Sequence, residues 1–399
     1  MKKFIPLISL FYIALFSYSQ KVTQKNFKDY AGTTIISSQV RAERNKALLR
    51  GTEAKKNKEF ILKNYTGIQP SVYPAWNGGF WPQKKPINIK DINFSTSQLD
   101  ELVNWGIENK YHILHHCLFF PNKYYPKWFW HSNYSKIELE TLLVDFISTV
   151  LKSNDNRYKI NAFNLINEIF AMDKSGKYRE NGIHKEDCKW MEMGFEKDKS
   201  GLKGIAKVND SHPIFVRKVF ETAAKLTDAK LEIRDFNVAF GGKKADGLYQ
   251  LIKHLKNSGV QIDAVGFQCH LNVNMNYDYT KLYKNIKRFI HLGVEVYITE
   301  LDVGMNLWSK KGKNKKVSDV MKTPEDWNLF FKKQNEIYYN LIKTSRQAGV
   351  SLISDWGFRD DIPYGNWRKD QKAWLLNKDY SKKGAYYAFL KALYDTQKK

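Results

Sequence analysis

Two glutamates stand where strand-like apolar runs should bury hydrocarbon. Glu168 ends the run NAFNLINE and Glu300 lies in VEVYITELD, with Asn167 directly before the first and Asp302 shortly after the second. One strand-ending glutamate is an ordinary surface or ion-paired residue. Two of them, each with a polar neighbour, offer the pair of carboxyls that glycosidic cleavage needs. One protonates the leaving oxygen, and the other attacks or stabilises the oxocarbenium-like carbon.

Such a pair works only if the chain brings the two run ends together. Short β-rich apolar runs alternate with longer stretches of helical period: Thr33 to Ser38, Gly67 to Tyr73, His112 to Phe119, Ile160 to Ile166, Lys230 to Val238, Ile262 to Phe267, Val294 to Thr299 and Val350 to Trp356. Between and after them lie helical patterns over Thr96 to Asn109, Lys136 to Lys152, Pro213 to Thr227, Ala245 to Ser258, Thr280 to Leu292, Pro324 to Ala348 and Lys382 to Tyr394. Gly259, Gly293 and Gly349 follow three of these as helix stops. Eight strands, each followed by a helix, predict an α/β protein, a (β/α)8 TIM barrel, with Glu168 and Glu300 at the ends of strands four and seven. The charged stretch Arg41 to Lys58 reads as a further amphipathic helix. Long insertions after strand four (Ala171 to Ser211) and strand seven (Val303 to Thr323) are expected to wall the cleft.

Composition narrows the class. With 43% hydrophobic residues the chain is globular, and at 399 residues one decorated barrel accounts for the length. An aromatic share of 15% exceeds what a core needs and leaves flat faces for sugar rings. Lys and Arg number 65 against 41 Asp and Glu, a formal charge of +24. These cations are dispersed, without an arginine-rich helix or Cys/His finger, so nucleic acid is not the expected partner. An anionic polysaccharide is the more specific reading of the charge. Residues 1–20, MKKFIPLISLFYIALFSYSQ, have the layout of a secretory signal, which leaves 21–399 as a single catalytic domain, secreted or periplasmic. The apolar run there is too short to span a bilayer. Cys117, Cys188 and Cys269 are too few and scattered for a disulfide framework.

Four motifs recur together. The Asn-Glu of NLINE, the Gln-x-His-Leu of GFQCHL, ITELD and SDWGF occur in the order and places seen in family-10 glycoside hydrolases, the endo-β-1,4-xylanase family of clan A. The tail NKDYSKKGAYYAFLKAL resembles that family's last helix, so the resemblance spans roughly residues 30 to 395. It implies a retaining double displacement with Glu168 as acid/base and Glu300 as nucleophile. It further implies that Asn167 donates to the sugar 2-hydroxyl, that His270 bonds Glu300 and is held by Asp302, that Gln268 lies near Glu168, and that Trp356 floors the site. Asn237, in LEIRDFNVAF, falls where the family has Asn-Asp-Tyr-Asn and takes a supporting place in substrate binding.

The sequence departs from the family in the sugar-gripping shell. Where the family ends strand two with Glu-Asn-x-x-Lys-Trp, this chain has Trp76, Asn77, Gly78, Gly79, Phe80 and Trp81. Asn77 and Trp81 match, while Trp76 and Phe80 replace the Glu and the Lys. Of the family's His-Thr-Leu-Val-Trp-His after strand three only His116 is kept. The resemblance then implies an intact catalytic pair in a more apolar substrate pocket lined by Trp76, Asn77, Phe80, Trp81, His116, Trp356 and Asn237. Two other readings compete: a barrel that binds glycan without cutting it, and a metal-dependent hydrolase using His112, His115 and His116. The second lacks a matching acidic cluster. No cofactor and no metal is implied, and the sequence does not set the oligomeric state.

Overall fold

The computed structural model describes residues 25–41, 51–74, 79–120, 124–152, 159–179, 188–307, 315–360 and 368–397. The signal-like segment 1–20 and the pair Trp76 and Asn77 lie outside them. Eight strands form the centre: β1 (Ile35–Val40), β2 (Gly67–Pro70), β3 (His112–Phe119), β4 (Ala162–Asn167), β5 (Lys230–Asp235), β6 (Ala264–Phe267), β7 (Glu295–Gly304) and β8 (Leu352–Asp355). Each pairs in parallel with the next, and β8 pairs with β1 through Ile35 opposite Leu352, so the sheet closes on itself. Helices α1 (Ala54–Asn64), α2 (Ser97–Glu108), α3 (Lys136–Lys152), α4 (Ile214–Ala224), α5 (Lys243–Asn257), α6 (Tyr279–His291), α7 (Pro324–Ala348) and α8 (Gly384–Asp395) follow the strands in turn. The predicted (β/α)8 barrel is present, and each expected strand lies within a few residues of its place.

The period-2 alternation explains two separate cores. Outward-facing Ile36, Ile68, Ile113, Phe163, Leu231, Val265, Val296 and Ile353 pack under the helices. Inward-facing Ile35, Leu114, Ala162, Ala264, Tyr297 and Leu352 form a small apolar layer inside the barrel. Above that layer the lumen turns polar, with Gln69, Asn164, Glu232 and Arg234 all buried. Helix ends follow their local signals: the Thr323 hydroxyl accepts from the Asp326 N–H at 3.2 Å, Pro324 opens α7, and Gly349 ends it at φ 100°.

Register shifts in the β3–β4, β4–β5 and β7–β8 ladders all fall toward the carboxyl ends of the strands. Such irregularities re-aim side chains at a barrel rim. There too Glu168, Asn237 and Cys269 adopt left-handed backbone at φ 57°, 56° and 60°. Non-glycine residues hold that conformation at a cost of about 1–3 kcal/mol, typically at functional sites.

Two expectations need correction. Of the helix expected over Arg41 to Lys58, residues 42–50 lie outside the described residues; a helix runs over Ala54–Asn64, and Arg41 follows β1 with its side chain in the cleft. Among the described residues of the first insertion, only Met172 and Lys174 line the cleft. Its distal part folds into a hairpin, Phe195–Lys197 against Ser211–Pro213, that turns away onto α5 through the His254 contact to Glu196. The second insertion does wall the cleft, through Met305 to Leu307 and Lys315 to Ser318. No helix among the described residues is long and apolar enough to cross a membrane.

Candidate active site

A cleft of about 2270 Å³ opens at the carboxyl ends of the strands and contains both glutamates. Glu168 follows β4, and its side chain is 19% exposed, opening into the cleft. Gln268 Nε2 donates to Glu168 Oε1 and to Asn167 Oδ1, both at 3.0 Å, which ties the Asn-Glu pair to the end of β6. Arg179, from the insertion after β4, donates through Nε to the Glu168 carbonyl at 2.7 Å and through Nη2 to its Oε2 at 3.3 Å. Burial, and then the neighbouring Asp235, push the Glu168 carboxyl up to about 7, against the opposing pull of Arg179 and Gln268. Asp235 itself pairs with Lys244 at 2.7 Å.

Glu300, on β7, has a different setting. Its Oε2 lies 3.1 Å from His270 Nε2, and its Oε1 lies 3.3 Å from Arg234 Nη1. His270 Nδ1 is 3.1 Å from Asp302 Oδ2, and Arg368 donates to Asp302 Oδ1 at 2.7 and 3.2 Å. Burial opposes charge on the imidazole, but Asp302 and Glu300 outweigh it and hold His270 at about 9. The ring is therefore a cation at neutral pH that donates to both carboxylates. His116 is the opposite case: burial, then Arg234, keep it well below the ordinary histidine range, so its 4.0 Å approach to Glu300 is a contact with a neutral ring. Asn164 Oδ1 lies 3.0 Å from His116 Nδ1.

The structure thus brings Asn167, Glu168, Gln268, His270, Glu300, Asp302 and His116 together. Trp356 lies among them, edge-on to His116 at 5.3 Å and to His270 at 5.8 Å, with the Arg41 guanidinium 5.5 Å from its ring. Asn237 lines the cleft, exposed. Phe80 and Trp81 are not substrate contacts. Backbone bonds from Phe80 N–H to Tyr73 O and from Trp81 N–H to Pro74 O tuck this stretch inward. Phe80 then packs on His115 and Phe146, and Trp81 on Phe94, Tyr125, Phe129 and Trp190. Burying two large aromatic rings in this core is worth more than exposing them on the rim.

The three-histidine metal reading also fails. His116 faces the cleft, His115 points outward between Phe80 and Phe163, and His112 lies at the far end of β3 near Lys230 and Glu295. Among the described residues, Asp198, His212 and His254 do gather metal-type ligand atoms under the inserted hairpin. Their nitrogens are already engaged: His212 with Asp198 and Tyr178, His254 with Glu196 and the Lys199 N–H. That arrangement clamps the hairpin to α5.

Sequence reasoning missed Arg234, Arg179, Asp235, Arg368 and Arg41. A signal for Arg234 was present: Glu232 and Arg234 are opposite charges at alternate positions of a strand, so both must face the same side.

Comparison with known proteins agrees with this geometry. The family model "Glycosyl hydrolase family 10" matches residues 77–392. Endo-1,4-beta-xylanase B of Thermotoga neapolitana is 26% identical over 341 residues, covering 84% of this chain and 83% of that protein. Endo-1,4-beta-xylanase A of Thermoanaerobacterium saccharolyticum is 28% identical over 322 residues, 76% of this chain but 24% of that much longer relative. Among solved structures, xylanase 10B from Thermotoga petrophila RKU-1 in complex with xylobiose superposes with a TM-score of 0.72 at 22% identity, covering 94% of this chain and 98% of the other. Xylanase 10B from Thermotoga maritima gives 0.70 at 24% identity, over 93% of this chain and 98% of that chain. With a family match across most of its length and a closed barrel carrying two glutamates in one cleft, this chain belongs to glycosyl hydrolase family 10.

Proposed function

We propose that this chain is a retaining, endo-acting hydrolase of β-1,4-linked xylan or a related decorated glycan. Glu168 serves as general acid/base and Glu300 as nucleophile. The observation that carries this reading is the unequal setting of two carboxyls in one cleft. Glu168 is held at about 7 and keeps its proton long enough to give it away, whereas Glu300 is met by two cations, Arg234 and His270.

In the first step Glu168 gives its proton to the glycosidic oxygen as that bond breaks, and Glu300 forms a bond to the anomeric carbon. In the second step Glu168 takes a proton from water, the water oxygen bonds to that carbon, and Glu300 leaves as carboxylate. The β-anomer is retained. Asn167 donates to the 2-hydroxyl and Trp356 supports the reacting ring. A cleft of about 2270 Å³ has room for several sugar units, which favours internal cleavage of a polymer. Lys174, Lys315, Lys316, Lys369 and Lys372 along its lining favour substrates bearing uronate or other acidic substituents. The layout of residues 1–20 supports export from the cytoplasm.

The test is release of reducing ends from plain and glucuronate-bearing xylans, with product size and anomeric configuration followed by NMR. Internal cleavage with β-anomer formed first supports the reading. Initial α-anomer, or no release from any β-glycan while binding persists, overturns it, the latter in favour of the non-catalytic barrel.

A further inference from the structure

The barrel lumen holds a charged pair that neither core packing nor substrate contact explains. Glu232 and Arg234 alternate along β5, so both side chains point inward, and both are fully buried. Arg234 Nε donates to Glu232 Oε1 at 2.8 Å and Nη2 to Oε2 at 2.7 Å, a planar fork. The remaining nitrogen, Nη1, donates to Gln69 Oε1 at 3.2 Å and to Glu300 Oε1 at 3.3 Å. Neighbouring β6 makes room for this arrangement with Gly266. A Cβ there would lie 2.1 Å from Glu232 Oε1 and 2.6 Å from Arg234 Cβ. Desolvating such a pair costs several kcal/mol per ion, and apolar residues of the same volume often stabilise a core better. The expense is understandable where the charge acts on the group above it.

We propose that Arg234 is a positioning residue that holds Glu300 from inside the barrel and stabilises it as the departing carboxylate, with Glu232 setting how much guanidinium charge reaches it. This rests on the assignment of Glu300 as nucleophile. Each oxygen of Glu300 then has its own donor, Arg234 at Oε1 and His270 at Oε2. When the bond from the anomeric carbon to Glu300 forms, the carboxylate loses its charge. When water displaces it, that bond breaks, its electron pair returns to Glu300, and the water proton goes to Glu168. Donors that favour the charged carboxylate act most on this second step, so loss of Arg234 slows breakdown of the intermediate more than its formation. The groups facing Glu300 are Arg234 and Glu232 of β5, His116 and Cys117 of β3, Tyr73 after β2, Glu168 after β4, and His270 after β6.

The experiment compares the full chain, Glu232→Gln, and the double variant Arg234→Met with Glu232→Gln, which removes both charges while keeping volume. The substrate is 2,4-dinitrophenyl β-xylobioside, whose leaving group makes breakdown of the intermediate rate-limiting. For the double variant, kcat should fall about 10- to 100-fold with KM falling alongside it, and a burst of about one dinitrophenolate per enzyme should precede turnover. The acid limb of kcat/KM should move to higher pH in the double variant and to lower pH in Glu232→Gln, where the guanidinium charge is less neutralised. Opposite shifts cannot come from loosened packing. Unmoved limbs, shifts in one common direction, or a loss of activity without a burst overturn the proposal. If the double variant does not fold, Glu232→Gln alone decides by the direction of its limb. An active Glu300→Gln enzyme would overturn the nucleophile assignment and this proposal together. An inactive one with unmoved limbs would overturn only the role of Arg234.

Discussion

Glu168, just after β4, and Glu300, within β7, carry the same carboxyl in different surroundings. At β4, Glu168 sits on a strained left-handed residue, meets one cation through a long 3.3 Å contact, and has the carboxylate of Asp235 nearby. In β7, Glu300 lies where the ladder to β8 shifts register between Ile298 and Leu301, more deeply buried, between the Arg234 guanidinium and a charged His270. Burial and Asp235 outweigh Arg179 and Gln268 in raising the proton affinity of Glu168, while at Glu300 each carboxyl oxygen faces its own donor nitrogen. In the mechanism proposed above, one barrel draws an acid and a nucleophile from identical residues by what stands behind each.

The comparison breaks most severely at Glu300. Replacing it with Gln leaves an acceptor oxygen for only one of the two donors, Arg234 or His270, and removes the attacking electron pair, so kcat/KM should fall by at least about 10⁴-fold on every substrate. Replacing Glu168 with Gln should cost about 10²–10⁴-fold on xylan. On an aryl glycoside with a good leaving group, the first step needs no proton, so formation of the intermediate should survive. Steady-state rates on the two substrates, side by side, check both. Equal losses on both substrates for Glu168→Gln would mean that its role is not proton donation.

A smaller effect is expected behind Glu300. His270→Gln should lower kcat/KM about 10- to 100-fold, because the carboxylate keeps Arg234 but loses the donor at Oε2. Stability should respond to pH as well. The folded chain holds the imidazole at about 9, above its ordinary 6.5. The stabilisation is therefore fully present below about pH 6.5 and is lost as pH rises through about 9. Thermal unfolding of the wild type and His270→Gln should differ most near pH 6, by about 3 kcal/mol at most, and converge above pH 9. A gap that is constant with pH would show that His270 is held neutral.

How much of this was legible in the sequence depends on which interaction fixes each residue. The strands and their order were readable because apolar alternation is a local property, and β1 and β7 fell into place without any tertiary information. Glu168 and Glu300 were readable because a charged residue at the end of such a run violates the pattern. Phe80 and Trp81 were not. An aromatic residue in a loop serves equally well as a sugar platform or a core plug, and only the backbone bonds to Tyr73 and Pro74 decide which. Arg179 was equally hidden, because it reaches Glu168 from an insertion whose path depends on the hairpin packed against α5. Gln268 and His270, equally distant in sequence, were readable only through the family's Gln-x-His-Leu motif, whereas Arg179, Asp235 and Arg368 belong to no such motif.

The finest adjustment lies behind Glu168, where two charges pull against each other. Arg179 favours the ionised carboxyl and Asp235 the protonated one. Arg179→Met should therefore raise the proton affinity of Glu168, and the alkaline limb of kcat/KM should move upward from its expected place near 7. Asp235→Asn removes the repelling charge and leaves Lys244 less neutralised at 2.7 Å, so the same limb should move downward. Each shift should be about one unit. Both variants disturb buried contacts, and Asp235→Asn in particular leaves a buried cation without its carboxylate, so a drop in thermal stability is expected in each. Stability loss alone cannot sort the limbs by sign. Profiles that move apart in the predicted directions would tie the acidity of Glu168 to these two neighbours, whereas coincident profiles would leave burial as its sole cause and remove half of the contrast between the two glutamates.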